Sequence, residues 1–357
     1  MRSPNRTTAV ATRQFFAWLE ANHGGLPMLQ RYTPSEPTSS VPVAPSLVVQ
    51  RSKLQAQDLK DLFEHKIVAL HVPSFYPRAS AIRLGQALAL EAQSDNSDSS
   101  SSSHDDDGTS GGRKNWKIST ARGLESSDVF TLGAHMPWNM AVSQNAIDDY
   151  LKYVPVEFQN RRRRKEQQQG KGKLLLLADS IWPLDQLRLE LDEVWPAGAN
   201  LSKYQNQHAM GGGLPRIMMG PTRWKKGLIH VDELGPLNVN RGTFSANIYL
   251  QLPNHQEDGE NEAPVLDIWP LDIRSKWDWY RNAHTLSELT SQSAEGQVKL
   301  RNALGPPQRI VVQPGDLVLL CVQRPHAAVG FTQPTTRVSL QTFLQFEGNG
   351  DGIQIET

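Results

Sequence analysis

The chain has 357 residues, and its 37 Lys and Arg residues balance its 37 Asp and Glu residues, so the formal net charge is zero. This balance argues against a protein that binds nucleic acid or an anionic membrane surface. The single cysteine, Cys321, excludes a disulfide framework and a cysteine-rich zinc site within one chain. Because Cys321 lies in the apolar run 317–322, we expect its thiol to be buried and unreactive.

The sequence shows no segment that is expected to cross a membrane. No apolar run approaches the roughly 18 residues that suggest a transmembrane helix, and the N-terminus lacks the apolar core of a secretory signal. We therefore predict a cytoplasmic protein, and the Arg-containing, acid-poor first residues leave organelle targeting open. The length predicts one large domain or two ordinary ones.

The first 200 residues divide into two regions by composition. Residues 1–60 predict an N-terminal helix over 9–32 and an extended Pro- and Ser-rich arm. Residues 61–200 predict a mixed, mainly helical support region. The elements predicted from residue 58 onward are a strand over 66–72 and helices over 58–64, 79–92, 146–153 and 183–195.

Two low-complexity segments interrupt the support region. The Ser- and Asp-rich residues 94–112 cannot offset the entropy cost of ordering, so we predict a disordered insertion. Residues 161–173 contain five consecutive cations, a pattern that can mark nuclear targeting or nucleic-acid binding. No aromatic residue is interleaved with these cations, so we predict a second disordered and solvated insertion.

Residues 201–357 consist of short apolar segments separated by Gly- and Pro-containing turns. The predicted strands are 216–219, 227–231, 244–252, 265–269, 310–313, 317–322 and 337–346. Their spacing is typical of an antiparallel sandwich or barrel. A helical insertion at about 274–304, which contains Trp277, Trp279 and Tyr280, is either a lid over a pocket or an outer packing helix.

Three residues in this half have the chemistry of metal ligands. His230 and Asp232 are two positions apart, so in a strand their side chains project from the same face. His326 follows the apolar strand 317–322. Two histidines and one carboxylate with open coordination positions form the facial triad of non-haem Fe(II) oxygenases. The alternative for His230 and Asp232 is a strand end that carries two solvated polar residues.

The last predicted strand carries Arg337 and Ser339 on one face. A guanidinium fork beside a hydroxyl suits the bidentate recognition of a carboxylate, although arginines that pair with a structural acid are also common. On the strand 244–252, Asn247 and Tyr249 share a polar face and are candidates either for co-substrate contacts or for plain packing. Arg324 either meets an anionic substrate or forms a surface ion pair.

The order His230-x-Asp232, Pro314-Gly-Asp316, Arg-Pro-His326, Arg337-x-Ser339 resembles the Fe(II)- and 2-oxoglutarate-dependent oxygenases over about residues 201–347. The resemblance implies a mainly β fold with flanking helices and a double-stranded β-helix, or jelly-roll, core. It implies catalytic iron on the two histidines and Asp232, and 2-oxoglutarate held by Arg337 and Ser339.

The resemblance also implies a reaction class. Dioxygen and 2-oxoglutarate would be consumed while a C–H bond of a small molecule, an amino acid or a derivative, is hydroxylated, desaturated or oxidatively cyclised. Related halogenases have a small residue where this chain has Asp232, so its carboxylate argues against halogenation. Algal kainoid synthases, which cyclise an N-prenylated glutamate, are one similar subgroup. The rival interpretations are a non-catalytic jelly-roll binding protein and a cupin-like isomerase or hydrolase.

Overall fold

The computed structural model describes residues 48–94, 113–117, 128–169, 181–233, 237–238, 240–253, 265–271 and 293–357. Several sequence predictions lie outside these ranges. They are the helix over 9–32, the extended arm that follows it, residues 95–112 of the first insertion and the aromatic cluster Trp277, Trp279 and Tyr280.

Helices and strands alternate in the first half of the described chain, and strands dominate the second half. The helices are α1 (Ala56–Phe63), α2 (Arg78–Ser94), α3 (Gln144–Gln169), α4 (Pro183–Val194) and α5 (Ala294–Leu304). The strands before residue 210 are β1 (Val48–Gln50), β2 (Ala69–Val72), β3 (Lys114–Trp116), β4 (Val129–Gly133), β5 (Ala199–Leu201), β6 (Lys203–Tyr204) and β7 (His208–Ala209). The later strands are β8 (Leu214–Met219), β9 (Gly242–Gln251), β10 (Val265–Ile268), β11 (Gln308–Val311), β12 (Leu317–Cys321), β13 (His326–Ala328), β14 (Thr336–Phe346) and β15 (Ile353–Glu356).

The later strands form a double-stranded β-helix. Strands β12, β9, β14 and β8 are neighbours, in that order and antiparallel, in the large sheet. Strands β11, β10 and β13 form a second antiparallel sheet. An antiparallel bridge between His230 and His326 adds the segment around His230 to the β13 edge of that sheet. Apart from β10 and β11, which pair with each other in the second sheet, successive strands from β8 to β14 alternate between the two sheets. This confirms the predicted jelly-roll core and the mainly β fold with flanking helices.

The period of two along the strands separates an outer from an inner face of the large sheet. On β9, Phe244 and Ile248 point outward and pack with α1, α2 and α4 in the main hydrophobic core. Phe63 of α1 lies between Phe244 and Phe346, with ring centroids 4.8 and 4.9 Å away. Each fully buried aromatic side chain contributes about 1.5–3 kcal/mol through the hydrophobic effect. The alternate residues of β9, such as Tyr249, therefore point from the opposite face of the strand towards the second sheet.

Strands from before residue 200 extend both edges of the large sheet. Strands β1 and β2 continue it beyond β12, and β4 and β3 continue it beyond β8. The support region thus contributes sheet as well as helices, and both sides of the predicted boundary near residue 200 share one sheet. The division into regions 1–60, 61–200 and 201–357 stays a prediction.

The second predicted insertion is wrong over 161–169, because α3 runs through to Gln169. Arg161 is buried rather than solvated. Its guanidinium donates to the carbonyl of Gly213, and its Nε lies 3.5 Å from Oε1 of Glu157, one turn earlier on the helix. Sequence composition marks the cation run as polar, but it cannot show that a buried acid compensates the first of the cations.

The predicted strand over 227–231 is also wrong in its extent, since only His230 makes a β-bridge there. Gly227 explains how the segment reaches β13. It has a φ of +76°, and a Cβ on this residue would lie 2.5 Å from the carbonyl oxygen of Ala328. A glycine permits both the left-handed conformation and the close approach. Among the described residues, no helix is long and apolar enough to span a membrane.

Candidate metal centre and its cavity

Three potential ligand atoms converge at the edge of the second sheet. One atom each from His230, Asp232 and His326 lies within 4.8 Å of the others. The Asp232 carboxylate oxygens lie 3.8 Å from Nε2 of His230 and 3.6 Å from Nε2 of His326. The paired backbone fixes this arrangement, because His230 and His326 exchange both N–H···O bonds at 3.0 Å. The amide of Asp232 donates to the carbonyl of Val322.

Both imidazoles are held in the tautomer that suits a metal ligand. Nδ1 of His230 lies 2.9 Å from the carbonyl oxygen of Leu228, and Nδ1 of His326 lies 2.9 Å from that of Arg324. A carbonyl accepts only, so each Nδ1 carries the proton and each Nε2 keeps its lone pair. Burial, with a smaller effect of His230, lowers the pKa of His326 to about 4, so this ring is neutral near pH 7.

Helix α5 holds the segment that carries His230 in place through hydrogen bonds. The buried side chain of Gln297 accepts a hydrogen bond from the amide of Ile229 at 2.7 Å and donates one to its carbonyl at 2.9 Å. Arg301 donates to the carbonyls of Lys226 and Gly227. Residues 294–304 of the predicted insertion therefore pack against the ligand segment, and the part that could form a lid lies outside the described residues.

The metal-ligand cluster lies beside a cavity between the two sheets, and the empty space there is about 620 Å³ when the open solvent at its mouth is included. Its lining contains two arginines, several neutral polar groups and an apolar portion. The lining residues are Val129, Arg216, Met218, His230, Ser245, Asn247, Tyr249, Leu266, Leu320, His326, Ala328, Arg337, Ser339 and Gln341. A small polar organic molecule fits a site of this composition.

Arg337 and Ser339 reach this cavity from β14, as their shared face predicted. The guanidinium of Arg337 is buried and lies over the ring of Tyr249, with the carbon Cζ 5.2 Å from the ring centroid. Its Nη1 is 3.4 Å from the carbonyl oxygen of Val329. Burial raises the pKa of the Tyr249 hydroxyl, although the charge of Arg337 and a hydrogen bond to it act in the opposite direction. The hydroxyl is thus protonated at neutral pH.

Asn247 also lines the cavity, and its amide donates to the hydroxyl of Ser245 at 3.1 Å. Together with Tyr249, these side chains form the polar face of β9 that the alternation indicated. The prediction for Arg324 is wrong in both of its forms. Arg324 is fully buried and donates to the carbonyl of Leu271, so it neither lies on the surface nor lines this cavity.

Arg216, the second arginine of the cavity, was not among the site residues predicted from the sequence. It lies on β8 directly opposite Ser339 of β14. The signal that could have found it is a cation in the otherwise apolar strand Leu214–Met219, because such a charge needs a buried partner or a ligand.

The donor set fits a divalent transition metal. Two imidazole nitrogens and one carboxylate oxygen are ligands that Fe(II) accepts, and three protein ligands leave the remaining positions open. The fixed Nε2 lone pairs and the mutual approach of the three groups support the same assignment. Within the described residues, His230, Asp232 and His326 are the one group of three or more His, Cys, Asp and Glu side chains whose spacing could hold a metal ion.

Comparisons with known proteins give low similarity throughout. No family model matches the chain, and no curated protein matches it. An N-substituted L-amino acid dioxygenase from Burkholderia ambifaria is 14% identical, with a TM-score of 0.32, over 64% of this chain and 86% of that one. A prolyl-4-hydroxylase from Pseudomonas putida is 15% identical, with a TM-score of 0.31, over 82% and 98% of the two chains.

A third similar structure is EctD from S. alaskensis with 2-oxoglutarate and 5-hydroxyectoine. It is 13% identical, with a TM-score of 0.34, over 88% of this chain and 80% of that one. At these values the fold assignment rests on the strand pairing described above.

Proposed function

We propose that the protein is a non-haem Fe(II)- and 2-oxoglutarate-dependent oxygenase that oxidises a C–H bond of a small molecule. The observation that carries this proposal is the pairing of two features in one jelly-roll cavity. His230, Asp232 and His326 converge at one side of it, and a buried arginine, Arg337, lines it beside Ser339.

The protein groups divide the work of binding between them. His230, Asp232 and His326 hold Fe(II) through two neutral nitrogens and one carboxylate. Fe(II) held there would supply, with dioxygen and 2-oxoglutarate, the oxidant for the substrate C–H bond, and succinate and carbon dioxide would be the co-products. Arg337 and Ser339 bind the distal carboxylate of 2-oxoglutarate. The ring of Tyr249 stacks against the guanidinium of Arg337 and orients it, and the amide of Asn247 offers a further polar contact to the co-substrate.

The charge of Arg337 supports its role as the carboxylate clamp. A buried guanidinium is costly unless a negative group compensates it. No acid of the described residues forms an ion pair with Arg337, so the alternative of a structural ion pair has no support there. A dicarboxylate co-substrate would supply the missing charge, and the guanidinium fork would bind it through charge-assisted hydrogen bonds.

The outcome of the reaction follows from Asp232 and the cavity. Since a carboxylate occupies the ligand position that halogenases leave for halide, we propose hydroxylation, desaturation or oxidative cyclisation. Amino acids and their derivatives are the substrate class that we propose. Cyclisation of an N-prenylated glutamate, the kainoid-type reaction, belongs in the test panel as one candidate.

Anaerobic spectroscopy tests the proposal and separates it from a non-catalytic binding protein. Addition of Fe(II) and then 2-oxoglutarate to the full chain should produce a visible metal-to-ligand charge-transfer band. His230→Ala should abolish the band, whereas Asp149→Ala, at an exposed position on α3, should leave it unchanged. Succinate formation with an amino-acid panel in air is the second readout. Absence of both the band and succinate in the wild-type protein would contradict the proposal, and turnover without 2-oxoglutarate would favour the cupin-like alternative.

A further inference from the structure

A second cation, Arg216, lies in the cavity beside the proposed co-substrate site. Thr131, Arg216, Ser339 and Tyr249 form one cross-strand row, from β4 through β8 and β14 to β9. Directly opposed residues in antiparallel strands have their side chains on the same face. Arg216 therefore shares its face with Ser339, and both residues line the cavity.

The contacts of Arg216 do not compensate its charge. Nη1 donates to the hydroxyl of Thr131 at 2.7 Å, which is a neutral acceptor. Burial of the guanidinium lowers its pKa, and the charge of Asp232 opposes this effect from a distance. Among the described residues, Asp232 is in ion-pair distance of His230 and His326 but not of Arg216. An arginine stays charged under these conditions, so the cavity contains a cation that is free to bind a ligand.

The two arginines occupy different surroundings. Arg337 is buried and is stacked on Tyr249. Arg216 is partly exposed, and the charge that opposes the lowering of its pKa belongs to Asp232, a proposed ligand at an exposed position. Arg216 thus lies towards the solvent-accessible, metal-ligand side of the cavity, where a substrate would enter and approach the metal.

A charge count indicates what Arg216 lacks. With the proposed function, Fe(II) brings two positive charges and Arg337 one, while Asp232 brings one negative charge and 2-oxoglutarate brings two. These four groups leave no net charge, so the cation of Arg216 remains uncompensated in the loaded protein. Because a charge in a cavity of this kind is costly without a counter-charge, the next molecule to bind is favoured if it is an anion.

We propose that Arg216, supported by Thr131, binds a carboxylate of the primary substrate, so that the substrate is an organic anion with a carboxylate near the oxidised carbon. This inference rests on the proposed function, because the charge count includes the metal and 2-oxoglutarate. The guanidinium would fix the orientation of the substrate and would not itself contact the reacting atoms. Arg216 is therefore a specificity-determining residue.

Binding measured without turnover tests this inference. The full chain is loaded anaerobically with Mn(II) and 2-oxoglutarate, and Mn(II)-induced broadening of ligand NMR signals reports both binding and proximity to the metal. The probes are two matched pairs, namely N-acetyl-L-leucine with N-acetyl-L-leucinamide and 3-phenylpropanoate with 3-phenylpropanamide. Each pair differs in the carboxylate charge and has nearly the same shape.

We expect the wild-type protein to bind the carboxylate of at least one pair about 10- to 100-fold more tightly than its amide. Arg216→Gln should remove this preference, and Arg216→Lys should keep part of it. Arg223→Gln, at an exposed arginine close by in the sequence, should leave it unchanged. If Arg216→Gln fails to fold, the wild-type preference and the Arg216→Lys variant still decide the result.

Three outcomes would overturn the inference. In the first, the wild-type protein binds neither carboxylate or binds carboxylates and amides equally. In the second, the preference survives in Arg216→Gln. In the third, Arg216→Gln weakens 2-oxoglutarate as strongly as Arg337→Gln does, which would make Arg216 a co-substrate contact. Failure of the proposed function looks different, since 2-oxoglutarate would then show no Mn(II)-dependent broadening even with the wild-type protein.

Discussion

Two groups of arginines lie inside this molecule, and they differ in what compensates their charge. Arg113 and Arg161 share the carboxylate of Glu157, which also accepts a hydrogen bond from the amide of Ala134. Arg216 and Arg337 line the cavity, and they contact a threonine hydroxyl, a carbonyl and a tyrosine. Each arginine of the first group has a carboxylate partner within the chain, whereas neither arginine of the second group has one among the described residues.

The difference distinguishes a structural cluster from a binding site. In the Glu157 cluster, each buried charge has a partner in the fold, so the cost of desolvation is offset when the chain folds. In the cavity, we propose that the desolvation cost of Arg216 and Arg337 is offset only when an anion binds. Removal of a charge should therefore affect stability in the first region and ligand affinity in the second. The following experiments test this contrast, from the largest expected effect to the smallest.

His326→Ala should abolish metal binding and turnover, since it removes one of the three proposed ligands. The loss should exceed the roughly 10- to 100-fold that is typical when only a supporting hydrogen bond of a metal site is removed. Mn(II) affinity by electron paramagnetic resonance and succinate formation are the measurements. His208→Ala, at an exposed histidine on β7, is the matched control. Retention of tight Mn(II) binding in His326→Ala would show that this residue is not a ligand.

Glu157→Gln should destabilise the fold by about 3–5 kcal/mol, because it removes the buried carboxylate that Arg113 and Arg161 share and leaves Arg113 only its 3.6 Å contact with the partly exposed Glu91. Denaturant unfolding followed by circular dichroism measures the change. Glu193→Gln, at an exposed position on α4, should change the free energy of unfolding very little. If Glu157→Gln is as stable as Glu193→Gln, the contrast between the two regions is wrong.

The loss of stability at acid pH should report on the same carboxylate, that of Glu157. Burial alone would raise the pKa of Glu157, but Arg113 and Arg161 outweigh it and lower the pKa to about 2 from the usual 4.5. Because the folded-state value is the lower one, this group stabilises the protein above pH about 4.5, and the contribution is lost as the pH falls towards 2. The shift corresponds to about 3 kcal/mol. The wild-type protein should lose that much more than Glu157→Gln over this pH window, and parallel curves would contradict the assignment.

Arg337→Gln should raise the KM for 2-oxoglutarate about 10- to 100-fold, which corresponds to about 1.4–2.8 kcal/mol. Unlike Glu157→Gln, it should leave the free energy of unfolding unchanged or slightly higher, because it removes an uncompensated buried charge. Arg337→Lys keeps the charge but not the fork, so its KM should be intermediate. An unchanged KM in Arg337→Gln would remove this residue from the co-substrate site.

Gln297→Leu should weaken metal affinity by about tenfold, because the amide and carbonyl of Ile229 lose the side chain that fixes them beside His230. Gln297 does not contact the metal ligands directly, so the residual metal site should keep its spectroscopic signature. Val298→Ala, at an exposed neighbouring position of α5, is the control. A metal affinity equal to that of the control would show that α5 only packs against the segment.

The sequence alone determined the residue chemistry and the strand content of residues 201–357. A period of two set the faces of β9 and β14, which is why Asn247, Tyr249, Arg337 and Ser339 were assigned to the face that lines the cavity. Glycine and proline turns separated the strands well enough to indicate an antiparallel sandwich or barrel, and the jelly roll was what the family resemblance implied. These features are local, so they can be read from neighbouring positions along the chain.

Only the tertiary structure decided which distant residues meet. The approach of His230 to His326 depends on a backbone bridge, and the position of Arg216 opposite Ser339 depends on the register of β8 against β14. The burial of Arg161 likewise depends on Glu157 and on the carbonyl of Gly213. Register and burial result from packing between segments far apart in the chain, and periodicity within one segment does not contain that information.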